Sequence, residues 1–177
     1  MSRPPDLGTV LAALSGPPGM HHFGEVVPLV EHSLQCATLA EGAGASPEMV
    51  VAALLHDIGW LSERDSTDDS HEELGAGLLS SFFGPRVVEP VRLHVLAKRY
   101  LCTIDSSYAE GLSGSSTATL TEQGGLLDTH DLEEFLSSPW HDDAVALRRF
   151  DDQAKVPGRR TLTWDRFEAL AVSLSRS

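Results

Sequence analysis

Seven consecutive residues, Met49 to Leu55, carry no polar side chain, and the next two are His56 and Asp57. A helix that is apolar on every side belongs at the centre of a core, wrapped by other elements. An ionised carboxylate at its end is costly to bury unless it is paired or bound to a metal. Ser46-Pro47-Glu48 marks the start of this helix: a Ser cap, Pro in the first turn and an acid near the positive end of the dipole. The stretch therefore asks for a helical surround and for a charged or metal partner to Asp57.

The rest of the chain supplies helices. From Val26 to Glu41 the apolar residues Val26, Leu29, Val30, Leu34, Ala37 and Ala40 recur at three- and four-residue spacing, which predicts a helix with one buried stripe. Ser62–Asp69 reads as a polar loop, and Ser70-His71-Glu72-Glu73 as a capping box opening a helix through Leu79. Gly84-Pro85 punctuates, and Pro90 is expected to open a helix from Val91 to about Leu101. Residues 105–125 are rich in Ser, Thr and Gly and are expected to form a long loop over the site, with at most one helical turn. Thr129–Leu136, Asp142–Lys155 and Trp164–Leu174 read as further helices, and residues 1–20 as a lead-in segment with one short helix. No stretch shows sustained alternation of β-branched residues. The expected fold is an all-α helical bundle, with residues 1–177 as a single domain.

Charge and composition narrow the function. The formal net charge of -13 argues against a nucleic-acid surface, since phosphate backbones demand a surplus of Lys and Arg. No apolar run is long enough to span a bilayer, and Met1 to Leu14 lacks the pattern of a signal peptide. The two cysteines, Cys36 and Cys102, fit neither a disulfide framework nor a CxxC site. A cytoplasmic protein is expected, of unspecified oligomeric state.

Four more residues join His56 and Asp57 as candidate metal ligands: His32 on the buried stripe, His71 after the polar loop, His94 on the following helix, and one of Asp151 and Asp152. Each alone has an ordinary reading as a satisfied core histidine or a solvated acid. The order His, His-Asp, His, His, Asp is what sets them apart. It resembles the metal-binding pattern of the HD-domain superfamily. The set of four His and two Asp is similar to that of the diiron oxygenases related to myo-inositol oxygenase. There the last Asp is followed four residues on by Lys, a spacing that Asp151 and Lys155 match and Asp152 does not.

The resemblance tightens to the HD-domain oxygenases that degrade phosphonates. It rests on the blocks His94-Val95 to Lys98-Arg99-Tyr100-Leu101-Cys102, Gly111-Leu112-Ser113 to Ser116, Gln123-Gly124-Gly125, and Leu147-Arg148-Arg149-Phe150-Asp151-Asp152 to Lys155-Val156-Pro157-Gly158. It implies two iron ions, Fe(II)/Fe(III), held by His32, His56, Asp57, His71, His94 and Asp151, with Asp57 bridging. It implies O2-dependent cleavage of the C–P bond of a 1-hydroxyalkylphosphonate, such as a 2-amino- or 2-trimethylammonio-1-hydroxyethylphosphonate, to a carboxylic acid and phosphate. It carries Lys98 and Ser116 over as substrate contacts, Lys98 also as a catalytic residue, and Glu25 as part of a gate. By sequence alone Lys98 is equally a snorkelling surface lysine.

Two positions depart from the family. His22 stands where these enzymes usually have a gating Tyr, and offers a further, reversible metal ligand. Trp60 stands where a second His contacts the phosphonate, and offers an aromatic face for a quaternary ammonium group. Two other readings stay open on the sequence. One is a metal-dependent HD phosphohydrolase acting on a nucleotide or phosphomonoester, since His/Asp sites accept several divalent ions. The other is a non-catalytic HD module, which would not need a complete ligand set.

Overall fold

A computed structural model describes residues 5–62 and 70–176; all but the first residue of the expected polar loop at Ser62–Asp69 lies outside the described residues. The chain is all-α, with no strand among the described residues. The helices are α1 (Leu7–Ser15), α2 (Leu29–Gly42), α3 (Pro47–Leu55), α4 (His71–Leu79), α5 (Pro85–Ile104), α6 (Ser106–Glu110), α7 (Gly114–Glu122), α8 (Thr129–Ser137), α9 (His141–Gln153) and α10 (Trp164–Leu174). Short 3-10 turns follow α1 at Pro17–Met20 and α3 at Ile58–Leu61. No described helix is long and apolar enough to cross a membrane.

Helix α3 takes the central position that its composition demands. Met49 through Leu55 are all buried, and the Ser46 hydroxyl accepts from Met49 N at 3.2 Å to cap the helix. Helices α2, α5, α9 and α10 pack around it. Leu11, Leu14, Leu54, Leu55, Leu79, Phe83 and Leu147 complete the main core. A smaller apolar cluster, Ala97, Leu127, Phe135 and Ala144, ties α8 to α5 and α9.

Three boundaries differ from expectation. Helix α2 begins at Leu29, because Pro28 takes the N-cap position; Val26 falls outside it and is 65% exposed. Helix α5 begins at Pro85 and carries Pro90 in its second turn, where the ring removes only one backbone donor. Residues 105–125 are not a long loop: they hold α6 and α7. Asp105 accepts from the backbone of Ser107 and Tyr108, and Ser113 from Ser116, so caps start helices whose Ser- and Thr-rich interiors favour them little.

Gly59 sets how α3 meets α4. A Cβ placed on it would lie 1.9 Å from the carbonyl oxygen of His71 and 2.8 Å from the nitrogen of Gly75. The backbone after Asp57 thus lies directly against the first turn of α4, and this contact brings His71 to Asp57. Gly77, on the exposed side of the same helix, has nothing within 4 Å of such a Cβ. Gly59→Ala is expected to destabilise the protein by about 1–3 kcal/mol or more, as overpacking against backbone does. Gly77→Ala is expected to stabilise it by about 0.5–1 kcal/mol. Urea midpoints at unchanged m-value measure both.

Candidate metal centre

The six expected ligands arrive from five parts of the chain: His32 from α2, His56 and Asp57 from the end of α3, His71 from the first residue of α4, His94 from α5 and Asp151 from α9. The fold brings all six together, in two groups. In the first, His32 Nε2 lies 3.2 Å from His56 Nε2 and 3.3 Å from Asp151 Oδ1, and Asp57 Oδ2 lies 3.6 and 3.4 Å from the two imidazoles. In the second, His71 Nε2 and His94 Nε2 are 3.2 Å apart, with Asp57 Oδ1 at 3.3 and 3.6 Å. Each oxygen of Asp57 therefore serves a different histidine pair. Asp152 turns away, toward Tyr108 and Arg148.

The histidines are oriented as ligands. The Nδ1 of His32 donates to Ala154 O (2.9 Å), that of His56 to Ala53 O (3.0 Å) and that of His94 to Val91 O (2.7 Å). His71 Nδ1 lies 3.3 Å from Glu72 Oε2. A carbonyl only accepts, so each of those three rings carries a proton on Nδ1, and in the neutral ring Nε2 presents a lone pair. Facing lone pairs at 3.2 Å, beside carboxylate oxygens, repel unless a cation lies between them. Donors about 2.0–2.2 Å from one ion are separated by roughly these distances, so the residues fit a metal at each group.

The titration of these groups expresses the same demand for positive charge. Burial, then the neighbouring His71 and His56, lowers His94 to about 3, so it is neutral and free to ligate. Burial would raise Asp57, but His56 and His71 hold its carboxyl well below the usual range. Burial would lower His32, but Cys36 and Asp151 hold it well above the ordinary value.

A cavity of about 60 Å³ opens beside the ligands and is lined by three cations, Lys98, Arg148 and Lys155. Lys98 is only 2% exposed, which removes the snorkelling reading. Among the described residues, the acceptors of its ammonium hydrogen bonds are neutral: Ser116 O, Thr119 Oγ1 and Gln123 Oε1. Burial first, then the Arg148 charge, lowers it to about 8. Ser116 Oγ accepts from both Arg148 and Lys155 at 3.1 Å. Arg148 also pairs with Asp151 Oδ2 at 2.8 Å and with Asp152, and its Nε donates to Tyr108 OH at 3.3 Å.

The remaining expected residues rim this cavity. Lys155 pairs with Glu25 at 2.9 Å, and His22 Nδ1 bonds to Glu25 O at 3.1 Å. Trp60 stacks with His71, at 4.6 Å and 16°, and with Phe23, at 5.5 Å and 30°. These two rings occupy part of the aromatic surface that the sequence offered to an ammonium group. Four residues were given no role in the site by the sequence: Arg148, Thr119, Gln123 and Cys36. Arg148 and Lys155 stand three before and four after Asp151, the spacing of one helix face, and that was the available signal.

Comparison with known proteins agrees with this geometry. An HD domain model matches residues 29–121. The hydroxymethylphosphonate dioxygenase of Gimesia maris is 45% identical over 148 residues, 79% of this chain and 74% of that protein. The glycine-betaine-forming 1-hydroxy-2-(trimethylamino)ethylphosphonate dioxygenase of Leisingera caerulea is 40% identical over 141 residues, 76% of this chain and 72% of that protein. This chain belongs to the HD-domain family, in its phosphonate-dioxygenase subgroup. The matched HD segment contains five of the six candidate ligands, His32, His56, Asp57, His71 and His94, and Asp151 lies beyond it.

The shared carboxylate gives a test of the site. Asp57→Ala should lower affinity at both positions, and His94→Ala should weaken the second alone by about 10–100-fold. Metal stoichiometry by elemental analysis after anaerobic loading separates the two results.

Proposed function

We propose that this protein is a diiron oxygenase that cleaves the C–P bond of a compact 1-hydroxyalkylphosphonate, giving a carboxylic acid and phosphate. The observation that carries the reading is Lys98: a buried ammonium whose hydrogen-bond acceptors among the described residues include no carboxylate, in the same cavity as the two histidine pairs. A buried cation of this kind calls for an anionic ligand. The names of the two relatives support a phosphonate as that anion. Net, one O2 is consumed, the C–P bond breaks, and carbon and phosphorus each gain one oxygen.

When bound, the iron pair would supply the Lewis acid for the substrate's oxygens and the electrons that activate O2. His32, His56 and Asp151 would hold one ion, His71 and His94 the other, and Asp57 both. Lys98, Arg148 and Lys155 neutralise the phosphonate dianion, and Ser116, set by two of them, offers its hydroxyl to a phosphonate oxygen. This fixes C1 and its hydroxyl toward the metal donors, and such positioning is itself a large part of catalysis. Phe23 and Trp60 wall one side and limit water. The stacking of Trp60 with His71 and Phe23, which takes up aromatic surface at the rim, supports hydroxymethylphosphonate over a bulky trimethylammonio substrate. Two free, buried thiols, Cys36 and Cys102, support a reducing, cytoplasmic setting.

The decisive experiment is anaerobic loading with Fe(II), then O2 with a panel of 1-hydroxyalkylphosphonates. The expected result is O2-dependent phosphate release, fastest with the smallest substrate, and the EPR signal of a coupled Fe(II)/Fe(III) pair. Phosphate release from phosphomonoesters without O2, and no such signal, would assign a hydrolase instead. Lys98→Met should raise KM by about tenfold or more, the scale of losing a charged hydrogen bond. Lys98 carries its charge below its pKa and loses it above. Substrate affinity should therefore fall as pH rises through about 8, and this limb should vanish in Lys98→Met.

A further inference from the structure

Cys36 stands one helical turn after His32 on α2 and is completely buried. Its Sγ lies 3.7 Å from His32 Nε2, and His32, Cys36 and His56 bring one donor atom each within 4.8 Å of one another. An ion about 2.0–2.1 Å from a nitrogen and 2.3 Å from a sulfur, at a tetrahedral angle, puts the two donors roughly 3.6 Å apart. The pair thus has the separation of two ligands of one ion.

His56 points to the same conclusion independently. It is fully buried, and its Nδ1 proton is given to Ala53 O. Around its Nε2 lone pair stand the Nε2 of His32 and the oxygens of Asp57 and Asp151. Two imidazoles that need a cation thus have carboxylates as one set of further ligands and a thiol as another.

We propose that Cys36 gives the first metal position a second coordination mode, His32–His56–Cys36, that captures a thiophilic ion such as Zn(II) in place of iron. The inference rests on the metal-centre reading above. The oxygen-rich mode, with Asp57 and Asp151, suits iron; the sulfur mode selects for softer ions. Ligation is by the thiolate, so the thiol proton is released to solvent as the ion enters. Zinc has no redox chemistry, so an ion held this way blocks O2 activation and makes the enzyme sensitive to the zinc-to-iron ratio.

The test uses the full-length apo-protein with Co(II) as a spectroscopic stand-in for Zn(II), followed by Zn(II) titration. Wild type and Cys102→Ala should develop a thiolate-to-cobalt charge-transfer band in the near ultraviolet, and Cys36→Ala should not. Zn(II) affinity should drop by about tenfold or more in Cys36→Ala, with Fe(II) affinity little changed. Cys36→Ser repeats the comparison should the alanine variant fold poorly. Metal binding to wild type without a sulfur band, or equal Zn(II) affinity in the variants, overturns this inference alone. Failure of wild type to bind any metal overturns the metal centre as well.

Discussion

A single carboxylate at the end of the most apolar helix governs this structure. Asp57 follows seven buried apolar residues, where an unpaired negative charge would be prohibitively costly. Four imidazoles surround it, and their own lone pairs require cations in turn. The helical wrapping around α3 places the ring nitrogens, and the carbonyls of Ala53, Val91 and Ala154 fix which nitrogen each ring presents. Core packing and site chemistry are one arrangement, since the helices that bury α3 carry the ligands.

The second constraint is the charge balance beside the centre. Arg148 holds one oxygen of Asp151 and leaves the other toward His32, so the same guanidinium that faces the cavity also orients a metal ligand. Tyr108 and Asp152 hold Arg148 from behind. The cations of the cavity and the candidate metal ligands are joined through one residue, so a charge placed in the cavity acts on both.

Much of this was legible in the sequence, for physical reasons. The all-apolar run with its Ser46 cap could be nothing but a central helix, and the His-Asp pair at its end had to be neutralised. The six candidate ligands, which the fold brings together, were legible from order and residue type. What was not legible came from packing. Helices α6 and α7 are written in Ser and Thr, which propensity reads as loop; the caps at Asp105 and Ser113 and the contacts of Lys98 and Lys155 with α7 hold them. The role of Arg148 needed the knowledge that its face of α9 points inward. Trp60 read as an open aromatic surface, because nothing in the sequence places Phe23, with its left-handed φ of 46°, against its ring.

The two halves of the centre are also unequal in how far apart their parts lie along the chain. The second histidine pair and its oxygen come from residues 57 to 94, and the His94 ring is set by a carbonyl three residues back in the same helix. The first group needs Asp151, and the His32 ring is set by a carbonyl 122 residues away. Contacts of such separation form late, because the loop they close is long. As the chain leaves the ribosome, the second donor group is complete in sequence well before the first, which waits for α9 to dock. The C-terminal third of the protein is what adds the last carboxylate to the candidate centre.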